Sequence, residues 1–434
     1  MSFHFFFANK GDFLLDKIPS IVAISTSRKL SSNASYAMRI RRASDDAELD
    51  VGFAGNSIDN KAIKNFGGYN LLGYTEDLTN PIWVVGRTGN FPILVSSGIT
   101  APDGTSTAFN VRMSLEGATG AGDILDFKQN IATIAGKNYT SSFYLRSGDG
   151  VLKNLAFFNV IGNFYQITIG TEWQKYEFTN TSNSTVLGAL RFRLQGNSTD
   201  NLVNLEVWHP QAEIGSSATQ YQPRLAGGAS NCFLTTLYDQ SGKGNDANQT
   251  VVTNQPKIYD VATGEVTKEN GKPAMVFDGV DDNIGIANVA GRSNIDAYFV
   301  NRHNPSLNSN NSAATRYIYP SRNIGGTYGF VVQKGSNSTT ITSNYGSPNF
   351  YKNNILFVGT TRDDIYEFLG QTQNVVNHKG ANVTSWDSFN FGGFTTNTFY
   401  FEGTFQEIII FDRNLTTKER TLLHSDINNH FNIY

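Results

Sequence analysis

Three tryptophans, Trp83, Trp173 and Trp208, stand with Tyr144, Tyr165 and Tyr176 in the middle third of the sequence. Rings of this kind hold sugars by stacking on the apolar face of a pyranose while Asn, Gln and Asp side chains fix the hydroxyls. Trp173 and Tyr176 share the run Glu172-Trp173-Gln174-Lys175-Tyr176-Glu177-Phe178 and are expected in a core. Trp208 alternates with Leu205 and Val207 in a strand, and Trp83 follows a proline turn. Trp83 and Trp208 are therefore the candidate ligand-binding residues; turned inward, both would simply fill an interior.

Retaining hydrolysis of a glycosidic bond needs two opposed carboxyl groups about 5 Å apart, one of them with a raised pKa. Glu402 and Glu407 are five positions apart and point to opposite faces of a regular strand. Asp363 and Asp364 follow Arg362 in an expected turn, and Asp281 and Asp282 close another. No catalytic residue is assigned, and no enzyme is expected. The six histidines (His4, His209, His303, His378, His424 and His430) show no i, i+2 or i, i+4 pairing for a transition metal. The Asp- and Asn-rich run 278–283 has oxygen ligands but not the spacing of a known calcium loop. No metal and no cofactor are expected. Cys232, the single cysteine, sits among apolar neighbours and reads as a buried core thiol.

The elements that must position these residues are strands. Period-2 alternation recurs at Met38-Arg39-Ile40-Arg41, at Asn204–Trp208 and from Thr404 to Phe411. The wholly apolar Ile408-Ile409-Ile410-Phe411 predicts a central strand buried on both faces. Pro102-Asp103-Gly104, Ser241-Gly242-Lys243-Gly244-Asn245 and Asp278-Gly279 punctuate the pattern as turns. A short helix is expected around Asp59–Phe66. Another begins at Thr416, where Glu419 completes a capping box. A long polar loop is expected over Asn301–Asn311.

Composition agrees. Charged residues are 16 % of the 434, against roughly 25 % in an average globular chain, while Gly (41), Phe (31) and Tyr (19) abound. A coiled coil, a helical bundle and a charged disordered tail are excluded. The net charge of -3, with no Lys/Arg cluster, argues against a nucleic-acid partner. No apolar run is long enough for a membrane span or a signal peptide, and the lone cysteine leans towards folding in a reducing cytoplasm. The first residues are unusually apolar (Phe3, Phe5, Phe6, Phe7, Phe13, Leu14, Leu15, Ile18) and are expected to be covered by their own domain or a neighbouring subunit.

The runs "LYDQSGKGNDANQ", "NQPKIY" and "GKPAMVFDGVDD", with the ending "FEGTFQEIIIFDRNLTTKER", resemble the laminin-G-like or concanavalin A-like jelly roll of phage virion proteins. Upstream, "AISTSRKLSSNASYAMRIRRASDDAELDVGF" resembles the first strands of the same module. Between the halves, "NLLGYTEDLTNPIW", "APDGTSTAF", "YTSSFYLRSG", "TEWQKYEF" and "VWHPQAEIGSSATQYQP" resemble a carbohydrate-binding-module-like jelly roll.

The resemblance implies an all-β chain: two jelly-roll β-sandwiches, one inserted into the other, with a short C-terminal helix. The host would comprise residues 20–66 and 229–434 and the guest 69–224, with Gly67-Gly68 and Gly227-Gly228 as flexible hinges. Residues 1–19 would dock on other virion proteins, and their removal would leave a soluble, folded remainder.

The opening of the host also resembles the catalytic sandwich of α-L-arabinofuranosidases. Where that family places a carboxylate after a Gly-Gly pair, Phe391-Gly392-Gly393-Phe394 has an aromatic, and the family's paired cysteines are absent. The function expected is a phage virion structural protein, a head or tail fibre or appendage subunit on the virion surface. It would be a homo-oligomer, expected to be a trimer, binding host cell-surface glycan. The alternatives are a polysaccharide-active glycoside hydrolase and a cellular polysaccharide-binding adhesin.

Overall fold

The computed structural model describes residues 13–434 except 197–199, 287–288, 290, 305–315, 324–325, 333–348, 371, 385–388 and 393–399; for 316–332 and 362–363 it describes the backbone alone. Most of the expected loop Asn301–Asn311, and Phe394, therefore lie outside the described residues. The fold is all-β, two jelly-roll sandwiches with a C-terminal helix. The chain divides into two compact units: Met1–Phe66 with Asn231–Asp260 and Glu265–Tyr434, and Gly67–Ser230 with Val261–Gly264.

In the second unit the incoming residues 67–75 run against the outgoing residues 224–230. Ser230 N–H donates to Gly67 O (3.2 Å), Ala229 N–H to Asn70 O (2.8 Å), Tyr74 N–H to Ala226 O and Thr75 N–H to Arg224 O (both 2.9 Å). The Arg224 guanidinium donates to Gly227 O at 3.0 and 2.8 Å. Here the glycines correct the expectation of hinges. A Cβ on Gly228 would sit 2.1 Å from Leu71 O, and one on Gly68 would sit 2.6 Å from Arg224 Nη1. Gly228 is glycine because the Leu71 backbone leaves no room for a side chain, and Gly68 because its φ is +76° and the Arg224 and Gln222 side chains crowd it.

Ten strands of this unit form two five-stranded sheets. The back sheet runs Gln174–Thr181, Asn138–Ser147, Leu202–Ile214, Ala108–Ser114, Ile93–Ile99; the front sheet runs Phe164–Ile169, Lys153–Phe158, Leu187–Gln195, Ile124–Ala132, Val84–Arg87. Alternation decides the layers: Leu125, Phe127 and Ile131 turn inward with Leu190, Phe192 and Leu194, meeting Phe143, Leu145, Val203 and Leu205 of the back sheet. Phe143 meets Phe157 and Phe192 edge-on at 4.8 and 5.1 Å.

In the first unit, hydrogen bonding joins 15 strands into one branched network. Its centre is Glu402–Phe411, paired on one side with Ile295–His303 and on the other with Val22–Ser25 and Met275–Asp278. Ile408–Phe411 is buried throughout, as the apolar run predicts. Helix Thr417–Phe431 starts at the Thr416/Glu419 capping box and packs Leu423, Ile427 and Phe431 on Tyr298, Ile409 and Phe411.

Two helices were not expected. Arg362–Leu369 replaces the expected turn at Asp363 and Asp364; Thr361 and Asp364 form its capping box. Leu14–Lys17 sets Leu14 and Leu15, with Ile18 just beyond, into the core beneath the C-terminal helix. A truncation through 13–18 is therefore expected to open this core. Residues 1–12 lie outside the described residues.

Candidate functional site

Neither expected tryptophan presents a free ring. Trp83 is 4 % exposed; it stacks on Phe127 at 5.2 Å and 12° and donates from Nε1 to Tyr74 O at 3.2 Å. Trp208 projects from the outer side of the back sheet but is only 8 % exposed. Ala101 and Ala108 pack on it with Ile99, Tyr144 and Trp173, and its Nε1 donates to Thr107 Oγ1 at 3.0 Å. His209, at φ 53°, folds its ring onto Trp208 at 3.4 Å, and Tyr221 covers His209 in turn at 3.7 Å. Burial in this stack lowers His209 to about 4. Trp173, expected in the core, is half-buried, with the Arg146 guanidinium 4.9 Å above its ring. A strand pattern separates inside from outside; it does not reveal that a distant segment covers the outside.

The open polar–aromatic surface is instead the outer face of the front sheet, built by two rows in register. One row is Gly86, Asp126, Arg193, Ala156, Gln166 and the next is Val84, Lys128, Arg191, Phe158, Phe164. Asp126 is buried on this face and accepts Arg193 Nε and Nη2 at 2.6 and 2.9 Å, a bidentate pair. Arg191 Nε lies 3.5 Å from the same carboxylate. Both guanidiniums lie over the Phe158 ring, at 5.4 and 4.8 Å. Phe158 meets Phe164 edge-on at 5.5 Å, and Phe164 remains 56 % exposed. The small Gly86 and Ala156 flank this charged centre. A Cβ at Gly86 would lie 3.4 Å from Asp126 Oδ2. An exposed aromatic ring, a planar hydrogen-bonding centre and Gln166 thus share one face of the sheet. These residues come from several strands, so no local motif signals them.

The first unit has a cleft of about 270 Å³ lined by Glu269, Val276, Asp278, Arg302, Asn304, Glu402 and Thr404 among others. Asp278 and Glu402, far apart in sequence, are cross-strand partners. Each carboxylate has structural work: Asp278 accepts Val280 N–H (2.8 Å), Glu402 accepts Asn304 Nδ2 (2.9 Å), and Glu269 accepts Arg302 Nη1 (3.2 Å). Glu407, by contrast, is buried against Arg28. Beside the cleft, carboxylate oxygens of Asp278, Asp281 and Asp282 fall within 4.8 Å of one another. Burial first, then Asp278, raises Asp282 to about 8.

Two sets of buried groups give opposite pH slopes. Burial lowers His378 to about 3, His424 to about 4 and His430 to about 3, from an ordinary 6.5. The unfolded chain takes up these protons first, so their stability is complete above 6.5 and is lost as pH falls towards 3. Asp282 keeps its proton up to about 8 when folded and releases it near 3.8 when unfolded, so it subtracts stability as pH rises between the two. The melting temperature is expected to fall from about pH 6.5 to about pH 4.5, and Asp282→Asn to stabilise more at about pH 8 than at about pH 5. A flat profile below 6.5, or an Asp282→Asn effect independent of pH, would contradict this assignment.

No protein-family model matches the chain, and no curated protein does. Solved structures do. The chain is similar to the enzymatically active domain of tailspike protein 4 of bacteriophage CBA120, at 14 % identity and TM-score 0.25, over 34 % of this chain and 22 % of that one. It is similar to TmCBM61 in complex with β-1,4-galactotriose, at 17 % identity and TM-score 0.24, over 34 % of this chain and 100 % of that one. It is also similar to a family 11 carbohydrate-binding module from Clostridium thermocellum in complex with a β-1,3-1,4-mixed-linked tetrasaccharide. There the identity is 16 % and the TM-score 0.24, over 34 % of this chain and 96 % of that one. Each likeness thus takes in about a third of this chain, and it spans only about a fifth of the tailspike chain.

Proposed function

We propose that this chain is a non-enzymatic glycan-binding protein that grips saccharide on the outer face of the front sheet, and that it is displayed on a phage virion as a fibre or appendage subunit. The observation that carries the binding role is Phe164, an exposed ring beside Phe158, next to the hydrogen-bonding centre of Asp126, Arg191 and Arg193. An exposed aromatic ring suits the apolar face of a pyranose, and the planar groups suit its hydroxyls. The virion setting is supported by the resemblance of the runs beginning at Leu237 and Phe401. Oligomerisation as a trimer would multiply weak contacts into avidity.

A printed glycan array probed with the full chain is expected to show saccharide binding that Phe164→Ala weakens about tenfold, or about 1.4 kcal/mol. Because the ring is exposed, the melting temperature should hold. Absence of all glycan binding, or equal binding by the variant, would reject this face. Antibody labelling of virions tests the setting. Reducing-sugar release lost in Glu402→Gln would make the chain a hydrolase instead.

A further inference from the structure

We infer that the saccharide taken by the front-sheet face is acidic, bearing a carboxylate or sulfate that docks between Arg191 and Lys128; this rests on reading that face as a glycan platform. The charges on the two rows do not balance. Lys128 stands directly opposite Arg191 in the antiparallel register, and Arg193 follows two positions along the same strand as Arg191. Like charges placed opposite one another across a sheet are destabilising. The two rows hold one carboxylate, Asp126, and Arg193 occupies both of its oxygens. Lys128 has no ion-pair partner among the described residues, and Arg191 shares the Asp126 carboxylate with Arg193, its Nε 3.5 Å away, while its side chain stays 26 % exposed. Two guanidiniums over Phe158, with Lys128 opposite Arg191, leave positive charge in excess of the one carboxylate, an arrangement suited to an anion that the chain does not supply.

The geometry also selects against a neutral ligand. A neutral sugar seated against Phe164 would cover Arg191 and Lys128, removing water from both without pairing them. A uronate or sulfated sugar in the same place would pair with the exposed part of the Arg191 guanidinium and with the lysine ammonium, with its ring against Phe164. Gly86, which a larger side chain would replace with a wall over Asp126, keeps the approach open. Three cations on one face of a chain with net charge -3 are too few for the extended phosphate track that a nucleic acid needs.

The test probes the full chain against arrayed neutral, uronate-bearing, sialylated and sulfated glycans, with a single-stranded oligonucleotide as a phosphate control. Binding is expected among the acidic glycans alone, weakened about tenfold by Arg191→Gln and by Lys128→Gln, and weakened again by rising salt. A purely structural role for Lys128 is separated by melting: Lys128→Gln should hold or raise the melting temperature, because it removes a like-charge contact. Binding to neutral glycans alone overturns the inference and leaves the glycan reading standing. Binding to no glycan overturns both. An oligonucleotide held as tightly as the acidic glycans overturns the inference by reducing the face to a simple cation patch.

Discussion

Arg28→Ala is expected to destabilise the first unit by about 3–5 kcal/mol, the range for breaking one side of a buried ion pair. The guanidinium is buried and grips Glu407 with two bonds, Nε at 2.8 Å and Nη2 at 2.7 Å, while Nη1 reaches Asp426 at 2.6 Å. Glu407 lies within the buried central strand and Asp426 on the C-terminal helix, so one side chain ties the strand to the helix that covers it. Burial opposes the positive charge, but Glu407 and Asp426 more than offset it and hold Arg28 above its ordinary value. Removal leaves the Glu407 carboxylate enclosed without its main partner. Urea unfolding of the full chain measures the loss. A change under about 1 kcal/mol would mean that water or rearrangement replaces the pair. Glu407→Gln with Arg28→Met should recover much of the stability, since an uncharged pair avoids the uncompensated charge.

The second large effect is expected at Gly228. Its substitution by valine should cost about 2–4 kcal/mol, as overpacking against backbone does when nothing flexible can yield. A new Cβ would lie 2.1 Å from Leu71 O and 2.7 Å from Leu71 C, so the incoming and outgoing segments must part. Parting breaks the bonds from Ala229 to Asn70 and from Tyr74 to Ala226. Limited proteolysis should then cut within 224–230 at a rate well above that of the parent chain. Gly104 is the matched control: its φ is +84°, but a Cβ added there would meet no heavy atom within 4 Å. Gly104→Ala is expected to cost only the backbone strain, about 1 kcal/mol, without new cleavage within 224–230. If Gly228→Val behaves like Gly104→Ala, the two segments are not held against each other as described.

The two effects differ in how far the sequence foretells them. Gly227-Gly228 is visible as a special pair, yet glycine serves equally as a hinge and as a site of close approach. Only the position of Leu71 O separates these. Arg28 is one of many arginines until the fold brings Glu407 and Asp426 to it.

What the amino-acid order determined by itself is what rests on neighbours along the chain. The buried strand at Ile408–Phe411 follows from its apolar run, and the C-terminal helix from Thr416 and Glu419. The Thr361/Asp364 cap was equally present in the sequence, although it reads there as a turn. The all-β class follows from repeated alternation between turns, since successive side chains on a strand point to opposite faces. Tertiary structure alone decided which residues share a surface. Trp83 and Trp208 have the chemistry of sugar platforms, but Phe127 backs one and a stack with His209 and Tyr221 shields the other. Asp126, Phe158, Phe164, Arg191 and Arg193 meet only because strand register aligns them, and the same register sets Asp278 beside Glu402. The reason is one of range: periodicity and capping act over a few residues, whereas register is chosen by the packing of whole sheets.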